Sequence, residues 1–203
     1  GRLRIGASVN IGTYYMPRLI REFQDRYPGI KVQVKINTTA VVEKELLDGK
    51  LDLALVGGTI QSEHIVAEPL FYEKYTAICA PEHPMAGKTV LLEEFMKEPL
   101  LFREKSSGAY EVFQSAVNQT GLTVTPVWES TSQTTLMEAV HYGLGVTILP
   151  EQMIKREIRE GRLAQITFSD FSFQNTIHIA YHHSKYLSPS IKNFILLVKT
   201  LDF

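Results

Sequence analysis

Between Leu3 and Val56 the hydrophobic period switches repeatedly from that of a strand to that of a helix, and this alternation limits the folds open to the chain. Leu3 to Ala7 is a short apolar run of strand type. Met16, Leu19, Ile20, Phe23 and Tyr27 then recur at three- and four-residue spacing, so a helix buries that face and ends at Pro28-Gly29. Ile30, Val32, Val34 and Ile36 alternate with polar residues, which predicts a half-buried strand. Thr38 or Thr39 can cap a second helix, with Val42, Leu46 and Leu47 inward and a stop at Asp48-Gly49. Leu51 to Val56 returns to strand. Such a β-α-β-α-β series calls for a parallel sheet covered by helices.

The remainder repeats this logic. Tyr75 to Ala80, Leu100 to Phe102, Val124 to Trp128, Val146 to Leu149, Leu163 to Phe168 and Thr176 to Tyr181 read as strands. A helix with Ala109, Val112, Phe113, Ala116 and Val117 inward follows Ser106-Ser107-Gly108. Another, with Leu136, Ala139 and Val140 inward, follows Ser130-Thr131-Ser132-Gln133, where Ser130 and Gln133 have capping-box spacing. Pro150 opens a helix that ends at Gly161. Ser188-Pro189 supplies a cap and a first-turn proline for a last helix that buries Ile191, Phe194, Ile195, Val198 and Leu201.

Composition excludes several functions. The formal net charge is −1, so these residues carry no electrostatic footprint for nucleic acid. No run approaches the ~20 apolar residues of a membrane-spanning helix. Cys79 is the lone cysteine, which excludes an intrachain disulfide and fits a reducing compartment such as the cytoplasm. The chain begins inside a strand-like run and reads as a fragment whose natural start lies upstream.

Four helices are preceded by small polar clusters: Ser8/Asn10, Thr38/Thr39, Ser107/Gly108 and Ser132/Gln133. A helix N-terminus leaves unpaired N–H groups and a partial positive charge, which suits an anion. In open α/β sheets such ends gather at the carboxyl edge of the strands. Each cluster alone is an ordinary cap; four facing one crevice would hold a small anionic or zwitterionic molecule. Pro17 either begins the first helix or kinks one that starts near Asn10. The ligand argument favours the second, because free N–H groups then face the crevice.

The segments LRIGASVNIGTYYMPRLIREFQDRYPGIKVQV, DGKLDLALVGG and EAVHYGLGVTILP, in this order and spacing, resemble the C-terminal effector-binding half of LysR-type transcriptional regulators. The resemblance extends over essentially the whole chain. It implies an α/β fold of two Rossmann-like subdomains joined by two crossing strands, of the type II periplasmic-binding-protein kind. The crossings would fall near Lys74–Ala77 and Ile179–His182, giving a first lobe of 1–75 plus 180–203 and a second of 76–179. It further implies a small-molecule effector between the lobes, held by Ser8, Asn10, Thr38 and Thr39 from one and Ser107, Gly108, Ser132 and Gln133 from the other. Asn10 departs from the threonine or serine common at its position, and its amide donates as well as accepts. The resemblance also implies pairing of these domains, with the Val32–Ile36 strand and the helix after Pro17 as interface elements. A tetrameric full-length protein would reach DNA through a winged helix upstream of Gly1.

Other chemistries fit less well. His178, His182 and His183 lie on or beside one strand, where residues four apart stand ~13 Å from each other and neighbours face opposite ways; one zinc ion cannot use all three. Ser106-Ser107-Gly108 lacks the G-x-S-x-G frame of a hydrolase. Gly143-Leu144-Gly145 follows a helix, unlike the dinucleotide fingerprint, which follows a strand. Asn37-Thr38-Thr39 and Asn118-Gln119-Thr120 match a glycosylation pattern that a cytoplasmic protein would not use. Glu73 and Lys74, and the charges from Lys155 to Glu160, read as solvated faces. Arg103 is a candidate partner for an anion near the Ser106 loop. No cofactor, no metal and no enzymatic role is expected. A transporter's solute-binding protein shares the implied fold and is the alternative.

Overall fold

In the computed structural model, which describes residues 1–105 and 107–202, the chain divides into two compact units. One comprises Gly1–Tyr72 with Thr176–Phe203, the other Glu73–Asn175. Ser106 lies outside the described residues.

In the first unit, β1 (Arg2–Ala7) is parallel to both β2 (Lys31–Ile36) and β3 (Leu53–Gly57). The connections carry α1 (Val9–Tyr14), α2 (Met16–Arg26) and α3 (Thr39–Leu47). β3 is buried on both faces, as a central parallel strand must be. Leu53 and Leu55 join Leu3, Ile5, Leu19 and Phe23 in one apolar cluster. Ala54 and Val56 face Val42 and Leu46 of α3 in another.

The second unit begins within β4 (Ile65–Cys79), a strand with residues in both units. It continues through β5 (Thr89–Val90), α4 (Leu92–Phe95), β6 (Leu101–Arg103), α5 (Gly108–Asn118), β7 (Trp128–Ser130) and α6 (Gln133–His141). It closes with β8 (Thr147–Pro150), α7 (Glu151–Arg159) and β9 (Ala164–Phe168). β10 (Gln174–His182) again has residues in both units, and α8 (Pro189–Thr200) completes the first. β6 and β7 are parallel, so β6-α5-β7-α6-β8 reproduces the connectivity of β1 to β3.

Several elements depart from expectation. The first helical segment is two helices: Tyr15 breaks the run, and Pro17 sits in the first turn of α2. A proline's absent N–H is harmless there, whereas inside one continuous helix its ring would meet the carbonyl of the preceding turn. Neither the kinked helix nor a helix beginning at Pro17 describes this arrangement. β2 lies at the sheet edge, with Val34 and Ile36 at 42 % and 40 % exposed, so its alternation does not report a buried face. Leu47 is exposed too. β4 starts ten residues before Tyr75, and Glu73 within it is buried rather than solvated. β7 starts only at Trp128, where its pairing with Leu101 begins. The cap of α6 is Ser132, with its Oγ accepting the Thr135 N–H at 3.2 Å. The Ser130–Gln133 capping box does not form.

Candidate functional site

In the first unit, two helix starts meet the end of one strand. The Ser8 Oγ accepts the Gly57 N–H at 3.3 Å. The Thr39 Oγ1, in a buried side chain, donates to the Gly57 carbonyl at 2.9 Å. Gly57 is the last residue of β3, so Ser8 before α1 and Thr39 opening α3 are tied to one peptide position at the carboxyl edge of the sheet. Thr38 caps α3, accepting the Val41 N–H at 3.4 Å. Asn10 lies within α1 and is buried.

The second unit repeats the arrangement at the ends of β6 and β7. Ser107, buried, accepts the Tyr110 N–H at 3.1 Å and caps α5, whose first residue is Gly108. The Ser107 N–H donates to the Glu104 carbonyl, and the Glu104 N–H to the Ser130 carbonyl, so the two loops are linked. The Ser130 hydroxyl then bridges to Ser132 through its own Oγ. Gln133, buried at the start of α6, lines a narrow cleft with Tyr75, Phe102, Arg103, Tyr110 and Phe173. Within each unit, therefore, the expected residues come together as two adjacent helix mouths.

Two features of the second unit escaped sequence reasoning. Arg103 forms a bidentate pair with Glu104, Nε to Oε2 at 2.9 Å and Nη2 to Oε1 at 3.0 Å. Consecutive residues of a strand face opposite ways, so no pattern announces such a pair; it forms because β6 ends at Arg103. The second is an aromatic cluster of Phe102, Tyr110, Phe113 and Phe173. The close spacing of Phe168, Phe171 and Phe173 was a usable signal for it.

The histidines also assemble differently. His183 lies beyond the end of β10, which frees its ring to stack on that of His182, centroids 4.8 Å apart, and on that of His64 at 5.2 Å. The opposite-faces argument for His182 and His183 therefore fails. Among the described residues, no group of three or more His, Cys, Asp or Glu side chains could hold a metal ion. Burial, helped by the charge of Glu98, pushes the Cys79 thiol up to about 11, which keeps it protonated and poorly nucleophilic. No helix among the described residues is long and apolar enough to cross a membrane.

The family model for the LysR substrate binding domain matches residues 1–201. The chain belongs to that family. It is 30 % identical over 201 residues to the HTH-type transcriptional activator CmpR of Synechocystis, covering 96 % of this chain and 64 % of that protein. It is 27 % identical over 199 residues to the uncharacterised HTH-type transcriptional regulator YeiE of Escherichia coli K12, covering 96 % and 67 %. The chain thus spans about two-thirds of the length of these relatives. The regulatory domain of Synechocystis CcmR, solved in complex with 2-PG, superposes with a TM-score of 0.88 at 24 % identity, covering 98 % of this chain and 96 % of that one. The LysR domain fold is therefore that of the type II periplasmic-binding kind, and the relatives are regulators rather than transport proteins.

Proposed function

We propose that this LysR substrate-binding domain senses a small anionic or zwitterionic metabolite and relays it to a DNA-binding segment outside these residues, with no chemical step of its own. The observation that carries the reading is the state of the cap hydroxyls. Ser8, Thr38, Ser107 and Ser132 each accept a backbone N–H, which leaves the hydroxyl proton able to donate. Donors beside helix N-termini favour a negatively charged ligand. Thr39 differs: its proton is committed to Gly57, so it can only accept, as the ammonium or hydroxyl of a zwitterionic ligand requires. The 2-PG complex of the CcmR domain supports a small molecule as the occupant. Regulation follows if the ligand binds two arrangements of the protein unequally, since only differential affinity shifts a population. Pairing with a second copy through the exposed edge of β2 accompanies this reading.

The test is a thermal-shift screen of small carboxylates, amino acids and inorganic oxyanions, because a ligand that binds only the folded state raises its midpoint. At least one anion should do so. Ser107→Asp, which sets a carboxylate at the mouth of α5, should abolish the shift. An unchanged response in that variant overturns the anion assignment. Light scattering on the same samples should read a mass above the 23.0 kDa of one chain.

A further inference from the structure

Leu3 and Ile5 of β1 belong to the apolar cluster with Leu19 and Phe23, so Arg2, Arg4 and Gly6 face the other way, toward α3. At Gly6 that face is closed: a Cβ there would stand 2.6 Å from Leu51 and 2.9 Å from Val42. At Arg2 and Arg4 it opens as a groove of about 390 Å³. Arg2, Arg4, Lys35 and Lys50 line this groove, and no acidic residue does. The whole chain has a formal net charge of −1, so the excess is local. Two of the four cations have counter-ions: Asp52 pairs with Arg4 and also with Lys185, and Glu45 pairs with Lys35. Arg2 is held differently. Its Nε and Nη2 donate to the Gln33 Oε1 at 2.9 and 2.6 Å, and an uncharged amide oxygen orients a guanidinium without cancelling its charge. The Nη1–Nη2 edge is left over, and the Lys50 ammonium meets no acceptor among the described residues. Like charges gathered on one face destabilise a fold unless an anion offsets them.

We propose that this groove is a second anion site, built for the phosphoryl dianion of a small phosphate monoester. It goes beyond the effector reading, because Ser8 and Thr39 stand at the carboxyl edge of the sheet and the groove opens at the start of β1. Two cations without counter-ions match a phosphoryl group, which carries close to two negative charges at neutral pH. The free edge of the Arg2 guanidinium takes two phosphoryl oxygens as a fork, and Lys50 supplies a point charge. Gln33 holds the fork in place while the groove is empty. Sites of this volume hold small organic molecules, and Val34 and Leu51 give the organic part an apolar contact.

Ribose 5-phosphate, inorganic phosphate and ribose, titrated against the whole chain at fixed ionic strength by calorimetry, test this. The two phosphates should bind and ribose should not. R2Q/K50Q changes two exposed side chains, so it should keep the parent's urea midpoint and weaken ribose 5-phosphate binding at least tenfold. Q33E keeps every cation but gives Arg2 a counter-ion, and it should weaken binding as well. K155Q/R159Q removes two exposed cations of the second unit and should bind like the parent. No binding of ribose 5-phosphate, ribose that binds as well, or R2Q/K50Q that binds like the parent would each overturn the proposal. An equal loss in K155Q/R159Q would do so too, since net charge alone would then explain the effect. Binding lost in Ser107→Asp but kept in R2Q/K50Q would place the phosphate at the helix mouths, which removes the groove and leaves the sensing role standing.

Discussion

Thr39 has two duties that substitution can separate. Its hydroxyl ties α3 to β3 through the Gly57 carbonyl, and its lone pairs are the acceptor that the proposed function assigns to a zwitterionic ligand. Thr39→Val leaves a buried carbonyl without its donor, which costs about 1–3 kcal/mol, and it also removes the acceptor. Thr39→Ser keeps both. The valine variant should unfold at lower urea concentration and bind effector more weakly, while the serine variant should track the parent. Unchanged affinity in the valine variant would remove Thr39 from the site. The hydroxyl pattern itself was visible in the chain, since Ser or Thr before an apolar period of 3.6 marks a helix start. Which hydroxyl donates and which accepts was not visible, because Gly57 lies 18 residues from Thr39 and the bond is made by the fold.

Elements are legible in the sequence where their period is strong and obscure where burial depends on neighbours. β2 has the alternation of a half-buried strand, but its place at the sheet edge leaves Val34 and Ile36 exposed. Strand order decides this, and no local pattern encodes it. The first ten residues of β4 mix apolar and charged side chains without a period of two, so no local pattern marks them as strand. Gly145 shows a closer constraint. A Cβ there would stand 2.3 Å from the Pro99 carbonyl oxygen, a backbone atom that cannot turn aside. The parallel bridge between Leu100 and Val146 fixes that approach. Gly145→Ala should therefore cost about 1–3 kcal/mol of stability, as overpacking does, read as a lower urea midpoint at unchanged slope. A midpoint equal to the parent's would show that the bridge yields easily.

At the scale of the folded unit, Asp52 joins distant parts of the chain. It accepts the Arg4 N–H at 2.7 Å and the Arg4 guanidinium, and it pairs with the Lys185 ammonium. Burial pushes its carboxyl pKa upward, but the hydrogen bonds from Arg4 and Lys185 outweigh it and hold the value at about 2. The unfolded chain would titrate this group near ~3.9. A depressed folded value means that the contribution is complete above about pH 4 and is lost as pH falls toward 2. Urea midpoints measured between pH 6 and 2 should fall through that window. Asp52→Asn should start lower and fall less steeply. Parallel curves for the two proteins would show that another group controls the acid limb.

The sequence by itself determined the kind of element at most positions, the parallel β-α-β-α-β order and the caps of α3, α5 and α8, all carried by residues within a turn of one another. It also carried the family, since the motif segments hold their order and spacing from end to end. Only the tertiary structure decided which faces are buried, that Ser8 and Thr39 share Gly57, and that Arg103 turns back on Glu104 beside an aromatic wall. Those facts depend on strand order and on where a strand stops. Both are set by packing between residues far apart in the chain, and a local period contains no record of them.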